Sequence, residues 1–167
     1  MGIPREKDLW ATALIIVAAA VLMSAVALHW VRFGLLVGLL RLSHWFSLIG
    51  TIYIAFAVPT IIILKKRFPK KYQTLSRVHI FGNLIAFLLI SIHFAGQISR
   101  PAESYPPLGT GLVLYTAMVL LVSTGILQRF NLMSIVKPQT LRLLHISSAF
   151  VFYLTIVVHI LHGIGII

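Results

Sequence analysis

The sequence contains no cysteine and only three acidic residues, and both shortages exclude classes of function. Without cysteine the chain forms no disulfide, ligates no iron–sulfur cluster and binds no haem through a thiolate or a covalent thioether. The acidic residues, Glu6, Asp8 and Glu103, lie outside every long apolar segment. Because proton-coupled transporters usually carry a carboxylate inside the membrane, the sequence argues against that class.

Charge is scarce throughout the chain. Only 10% of the 167 residues are charged, compared with about 25% in a soluble globular domain. Five apolar segments reach the length of about 20 residues that a membrane span requires. They cover roughly residues 9–31, 42–64, 75–98, 108–127 and 141–167. We therefore expect an all-α integral membrane bundle that forms a single domain over residues 1–167 and contacts membrane lipid.

The basic residues are distributed unevenly between the connections. By the positive-inside rule, this asymmetry places the N-terminus in the cytoplasm and the C-terminus outside. Topology then accounts for the net charge of +11, so we expect the cytoplasmic membrane as the location and no nucleic-acid partner. The cytoplasmic set has eleven members and the external set has three: Arg5, Lys7, Lys65, Lys66, Arg67, Lys70, Lys71, Arg77, Arg129, Lys137 and Arg142, against Arg32, Arg41 and Arg100.

Four histidines form two pairs with the same spacing. His79 and His93 are fourteen residues apart in the third segment, and His145 and His159 are fourteen apart in the fifth. In a helix this spacing is four turns less about 40°, so each pair shares one face, with about 21 Å between its members. An imidazole in an apolar segment needs a polar partner, and a haem iron is one.

Chain direction predicts how the histidines pair. Short loops make neighbouring segments antiparallel, so the third and fifth segments run parallel. We therefore expect an inner haem b between His79 and His145 and an outer haem b between His93 and His159. Zinc is less suitable, because it needs three or four protein ligands at one depth.

Glycines lie at the same intervals as these histidines. Gly82 and Gly96 each follow a histidine by three residues, and Gly111 and Gly125 are fourteen residues apart. A missing Cβ lets a flat porphyrin approach a helix backbone, so we expect these glycines at haem depth. Close helix packing within a membrane is the alternative explanation.

Arginines near the histidines are candidate partners for the anionic haem propionates. Arg100, Arg142 and Arg41 have the favoured positions, and ordinary interfacial anchoring is the alternative. The remaining histidines, His29, His44 and His162, are candidates for propionate binding, for a quinone or acceptor site, or for the membrane interface.

Taken together, His79, His93, His145 and His159 resemble the ligand pattern of the dihaem cytochrome b superfamily. The pattern is most similar to the transmembrane domain of ferric reductases and NADPH oxidases. That family carries paired histidines on its third and fifth helices, an internal N-terminus and one haem near each membrane face. It usually adds a sixth helix and cytoplasmic flavin and nicotinamide domains, whereas this chain stops after the fifth segment. The final segment, with His159 and His162, also resembles the cytochrome b of quinol–cytochrome c oxidoreductases.

These observations predict transmembrane electron transfer through two bis-histidine b-type haems. Two histidines on each iron leave no open position for a substrate, so the protein supplies position and potential. We expect the chain to be the membrane subunit of a larger oxidoreductase, with a redox partner subunit and a quinone as candidate partners. The alternatives are a self-sufficient membrane quinol oxidase or ferric reductase, and a haem-free structural or transport subunit.

One further group is predicted to meet near the outer haem. Its aromatic and cationic members suit a quinone headgroup or an acidic partner surface, and an interfacial aromatic belt is the alternative. The members are Trp30, Arg41, His44, Trp45, Arg100 and His162.

Overall fold

A computed structural model describes residues 5–104, 109–132, 135–163 and 165–166. A π-helical turn, Tyr53–Ala57, joins the helix Leu42–Ile52 to the helix Val58–Arg67, so the described helices form five segments that are long and apolar enough to cross a membrane. The predicted all-α fold is confirmed. The helices are α1 (Arg5–Ala27), α2 (Leu42–Ile52), α3 (Val58–Arg67), α4 (Tyr72–Ile98), α5 (Gly109–Phe130) and α6 (Pro138–Gly163).

The helices extend beyond the predicted segments at their basic ends. There α1 begins at Arg5, α3 ends at Arg67 and α5 ends at Phe130, three or four residues past the apolar limits. Hydropathy marks only the apolar part of a helix, whereas lysine and arginine are good helix formers that continue it into the polar zone. Glu6 and Asp8 consequently lie in the first turn of α1, where a carboxylate interacts favourably with the positive end of the helix dipole.

At its C-terminal end, α1 stops earlier than predicted. The helix stops at Ala27, and His29 adopts a positive φ of 59°. The chain then enters a short antiparallel hairpin of β1 (Leu36–Val37) and β2 (Leu40–Arg41). Gly38 allows the hairpin turn because its φ of 63° is costly for side chains with a Cβ.

The chain divides into two compact units, Met1–Pro106 and Pro107–Ile167. In the first unit α1 and α2 both pack on α4. Small side chains make this close approach possible, since Ala86, Ser91 and Ala95 of α4 are buried. At Gly50 of α2, an added Cβ would lie 3.1 Å from the carbonyl oxygen of Ala86.

Tyr53, in the π-helical turn, connects the second span to α4. Its hydroxyl donates a hydrogen bond of 2.7 Å to the carbonyl of Val78. The phenol occupies the space that a side chain at Gly82 would fill. The turn precedes Pro59, which lacks an N–H and crowds the carbonyl four residues earlier, so the local widening has a physical cause.

In the second unit α5 and α6 pack against each other as an antiparallel pair. Pro138 is the first residue of α6, where its missing N–H has no cost. The side chain of Gln128 donates a hydrogen bond of 3.0 Å to the carbonyl of Leu141. Met118 of α5 and Phe152 and Ile156 of α6 are buried.

Large apolar side chains cover the outer surfaces of these helices. Leu14 of α1 is 70% exposed, and Leu143 and Phe150 of α6 are 64% and 65% exposed. Apolar surface of this extent is rare on soluble monomers and suits contact with lipid.

We expect Gly82→Ala to destabilise the first unit. The new Cβ would overlap the phenol of Tyr53, which would have to leave and lose its bond to Val78. The cost should be about 1–3 kcal/mol, as for other overpacked sites. Thermal unfolding in detergent measures it, with Gly96→Ala as the matched control. Gly96 has open space around its Cβ position, so that change should be neutral or slightly stabilising. Equal melting temperatures for the two variants would contradict the packing argument.

Candidate functional site

His145 on α6 is held by a threonine from α5. Its Nδ1 lies 3.0 Å from the hydroxyl oxygen of Thr124. That hydroxyl donates its one proton to the carbonyl of Leu120 at 2.6 Å, so it must accept from the imidazole. The hydrogen bonds therefore assign the proton of a neutral His145 to Nδ1 and leave the lone pair of Nε2 available. Metal-bound histidines are commonly oriented in this way.

His159 has the same type of partner, one repeat away. Its Nδ1 lies 3.1 Å from the hydroxyl oxygen of Thr110. Thr110 and Thr124 are fourteen residues apart on α5, which is also the spacing of the two histidines on α6. The antiparallel packing of α5 on α6 brings both pairs into register together.

The two threonines are not among the residues predicted from the sequence, although a repeated sequence pattern marks them. Each one directly precedes a glycine of the predicted set, so a threonine–glycine dipeptide recurs after fourteen residues. The glycines give the imidazoles room. An added Cβ at Gly111 would lie 3.5 Å from Cε1 of His159, and one at Gly125 would lie 3.4 Å from Cε1 of His145. These glycines therefore contact the predicted ligands themselves, and contact with a porphyrin stays a prediction.

His79 on α4 has a polar neighbour one turn later on the same helix. Its Nδ1 lies 3.4 Å from the amide nitrogen of Asn83. The amide oxygen of Asn83 is buried without a hydrogen-bond partner among the described residues. Exchanging the amide oxygen and nitrogen, which are nearly isoelectronic, would let Asn83 accept a proton from Nδ1 of His79. This assignment would give Nδ1 of His79 an acceptor for its proton.

His93, the other histidine of α4, contacts a histidine from α2. Its ring centroid lies 4.9 Å from that of His44, with the planes at 69°. Arg41 and Arg100 both act electrostatically on His44. The structure thus brings together four residues that sequence analysis had assigned to one end of the bundle.

Other members of the predicted sets have different surroundings. The room at Gly82 is taken by the phenol of Tyr53, and contact of this glycine with a porphyrin stays a prediction. Trp45 is tied to the hairpin, because its indole N–H donates to the carbonyl of Val37 at 2.8 Å. Arg142 is exposed and lines a cavity of about 220 Å³ with Gln128 and Asn131.

The charges near His79 are also organised by the fold. Arg77, two residues earlier on α4, pairs with Asp8 of α1 across 3.3 Å between Nε and Oδ2. The sequence placed Arg77 on the basic side and gave no indication of this pair. The pair joins the first turn of α1 to α4 close to a predicted ligand.

Within the part of the chain that the structure describes, no group of three or more histidine and acidic side chains could hold a metal ion. This finding concerns only sites that are built from three or more such side chains. It does not bear on a haem iron, which takes only two ligands from the protein. No protein family, curated protein or solved structure matches this chain.

We expect Thr124→Val to change the protonation pattern of His145. Valine keeps the shape but removes the hydroxyl acceptor at Nδ1, while the backbone carbonyl of Leu121, which also hydrogen-bonds His145, remains. Losing one hydrogen bond of about 1 kcal/mol should shift the tautomer equilibrium roughly fivefold toward Nε2–H. Nitrogen NMR of ring-labelled histidine measures the shift in the full chain.

Thr124→Ser is the matched control, since it keeps the hydroxyl and should retain the Nδ1–H form. A His145 signal that is identical in all three proteins would show that the hydrogen bond does not set the tautomer.

Proposed function

We propose that this chain carries electrons across a membrane through two b-type haems, each held by two histidines. The proposal pairs His79 with His145 at the inner site and His93 with His159 at the outer site. The observation that carries it is the repeated threonine–histidine hydrogen bond between α5 and α6. Two imidazoles on one helix are held by Nδ1, at a spacing of about 21 Å.

The residues fit the group in kind and number. A neutral imidazole with its proton on Nδ1 offers Nε2 to iron, and the hydrogen bond at Nδ1 fixes the ring and raises its basicity. Two such imidazoles would hold one haem iron. When bound, the haems would supply reversible one-electron chemistry.

The side chains around the histidines would orient the ligands and exclude water. Thr110 and Thr124 hold the rings of α6 from the neighbouring helix, and Gly111 and Gly125 leave the room those rings need. Thr124 is itself buried, so water has little access to its hydrogen bond. Fixed ligands keep the geometry similar in both oxidation states, which limits reorganisation during electron transfer.

The proposal places the chain in the cytoplasmic membrane with its N-terminus inside. The five apolar segments and their exposed aliphatic surfaces support a membrane setting, and the charge asymmetry supports the orientation. In this proposal, a redox partner subunit or a quinone exchanges electrons with the chain. The exposed basic residues Lys66, Arg67, Lys70 and Lys71 suit an acidic partner surface.

The purified chain should contain about two haems per polypeptide by pyridine haemochrome analysis. His145→Ala and His159→Ala should each reduce the content to about one, because each removes one axial ligand from one iron. His29→Asn is the control and should keep both haems; asparagine tolerates the positive φ at that position. A wild-type ratio near zero would instead support a structural or transport subunit.

Redox titration of the four single alanine variants tests the pairing. His79→Ala and His145→Ala should perturb the same haem, and His93→Ala and His159→Ala should perturb the other. The reason is that both members of a pair ligate one iron. A phenotype shared by His79→Ala and His159→Ala, and absent from His145→Ala, would show the crossed arrangement and contradict the parallel one.

A further inference from the structure

Four residues of the first unit lie near the beginning of α2 and the end of α4. His44 lies in the first turn of α2, and Arg41 directly precedes that helix. His93 lies near the end of α4, and Arg100 follows the end of that helix. The His44 and His93 rings are in edge-to-face contact at 4.9 Å, and the charges of both arginines act on His44.

One polar atom in this group lacks a partner. Nδ1 of His44 is buried and makes no hydrogen bond to any residue that the structure describes. A buried polar atom without a partner is costly, so the site favours a ligand that supplies one. Two guanidinium charges act at the same place, so the best ligand is an anionic hydrogen-bond acceptor.

We propose that Arg41, His44 and Arg100 form a carboxylate-binding site, and that its ligand is a propionate of the outer haem. This inference rests on the proposed function, since it needs a haem on His93. His44 donates from Nδ1 to the carboxylate, and the two arginines supply the balancing charge. A neutral quinone ring would leave both arginine charges without a counter-ion, which makes a quinone the poorer ligand here.

The position of His44 gives it two separate roles. Its ring packs on the predicted ligand His93, and its Nδ1 is available to the propionate. His44 is therefore a residue that positions the haem without ligating the iron. The two roles can be separated by experiment, because a phenyl ring keeps the first and removes the second.

The test compares haem b with its dimethyl ester, whose carboxylates are uncharged. Both are titrated into haem-depleted full-length chain in a His145→Ala background, which under the proposed pairing leaves only the outer site. The protein without further change should bind haem b more tightly than the ester. His44→Phe should lose about tenfold of that preference, the effect expected for one hydrogen bond to a charged group.

Arg100→Gln gives an independent measurement that leaves the ring pair unchanged. It should also reduce the preference for haem b, because it removes one of the two charges that act on His44. Arg32→Gln is the matched control, because it removes an exposed arginine from the same predicted side of the membrane, and it should keep the full preference. These readings are binding constants, so they do not depend on a redox partner.

The possible results separate this inference from the function on which it rests. Equal weakening of haem b and the ester in His44→Phe would reduce His44 to a packing residue and overturn the inference. An unchanged preference in both His44→Phe and Arg100→Gln would overturn it as well. Wild-type chain that binds no haem, measured first, would overturn the proposed function and this inference with it.

Discussion

A histidine in an apolar helix must find a polar partner, since neither lipid nor a packed helix face provides one. Most of the local arrangement in this chain follows from that constraint. On α6 the partners are the hydroxyls of Thr110 and Thr124. On α4 the partner of His79 is Asn83, one turn away. Each solution uses Nδ1, which is the nitrogen nearer the backbone, and so turns Nε2 outward from the holding group.

Glycine serves this chain in more than one way. Gly50 lets α2 approach the backbone of α4, and Gly82 makes room for the phenol of Tyr53. Gly111 and Gly125 make room for imidazole rings. Sequence spacing alone placed Gly82, Gly111 and Gly125 in one set. A regular spacing is visible in a sequence, whereas the side chain that fills the space beside each glycine is not. Only the neighbouring helix decides what fills the space at each glycine.

The parts that could be predicted from the sequence depend on one-dimensional pattern. Apolar length located all five helical segments. The equal spacing of the histidines selected the residues that the structure shows with organised partners. The turn at Tyr53–Ala57, the bond from Tyr53 to Val78 and the pair between Asp8 and Arg77 were not predicted, because each depends on which helices pack together.

The two histidine-bearing helices solve the same problem differently, and the difference has consequences for the proposed function. On α6 both histidines have the same type of partner, since each ring is held by a threonine that precedes a glycine. On α4 His79 has an amide neighbour, whereas His93 packs against His44, on which two arginines act. Hydrogen bonds and charges around an axial ligand tune the potential of its iron. Under the proposed pairing, α6 therefore gives the two haems similar ligands, and the asymmetry that distinguishes their potentials comes mainly from α4.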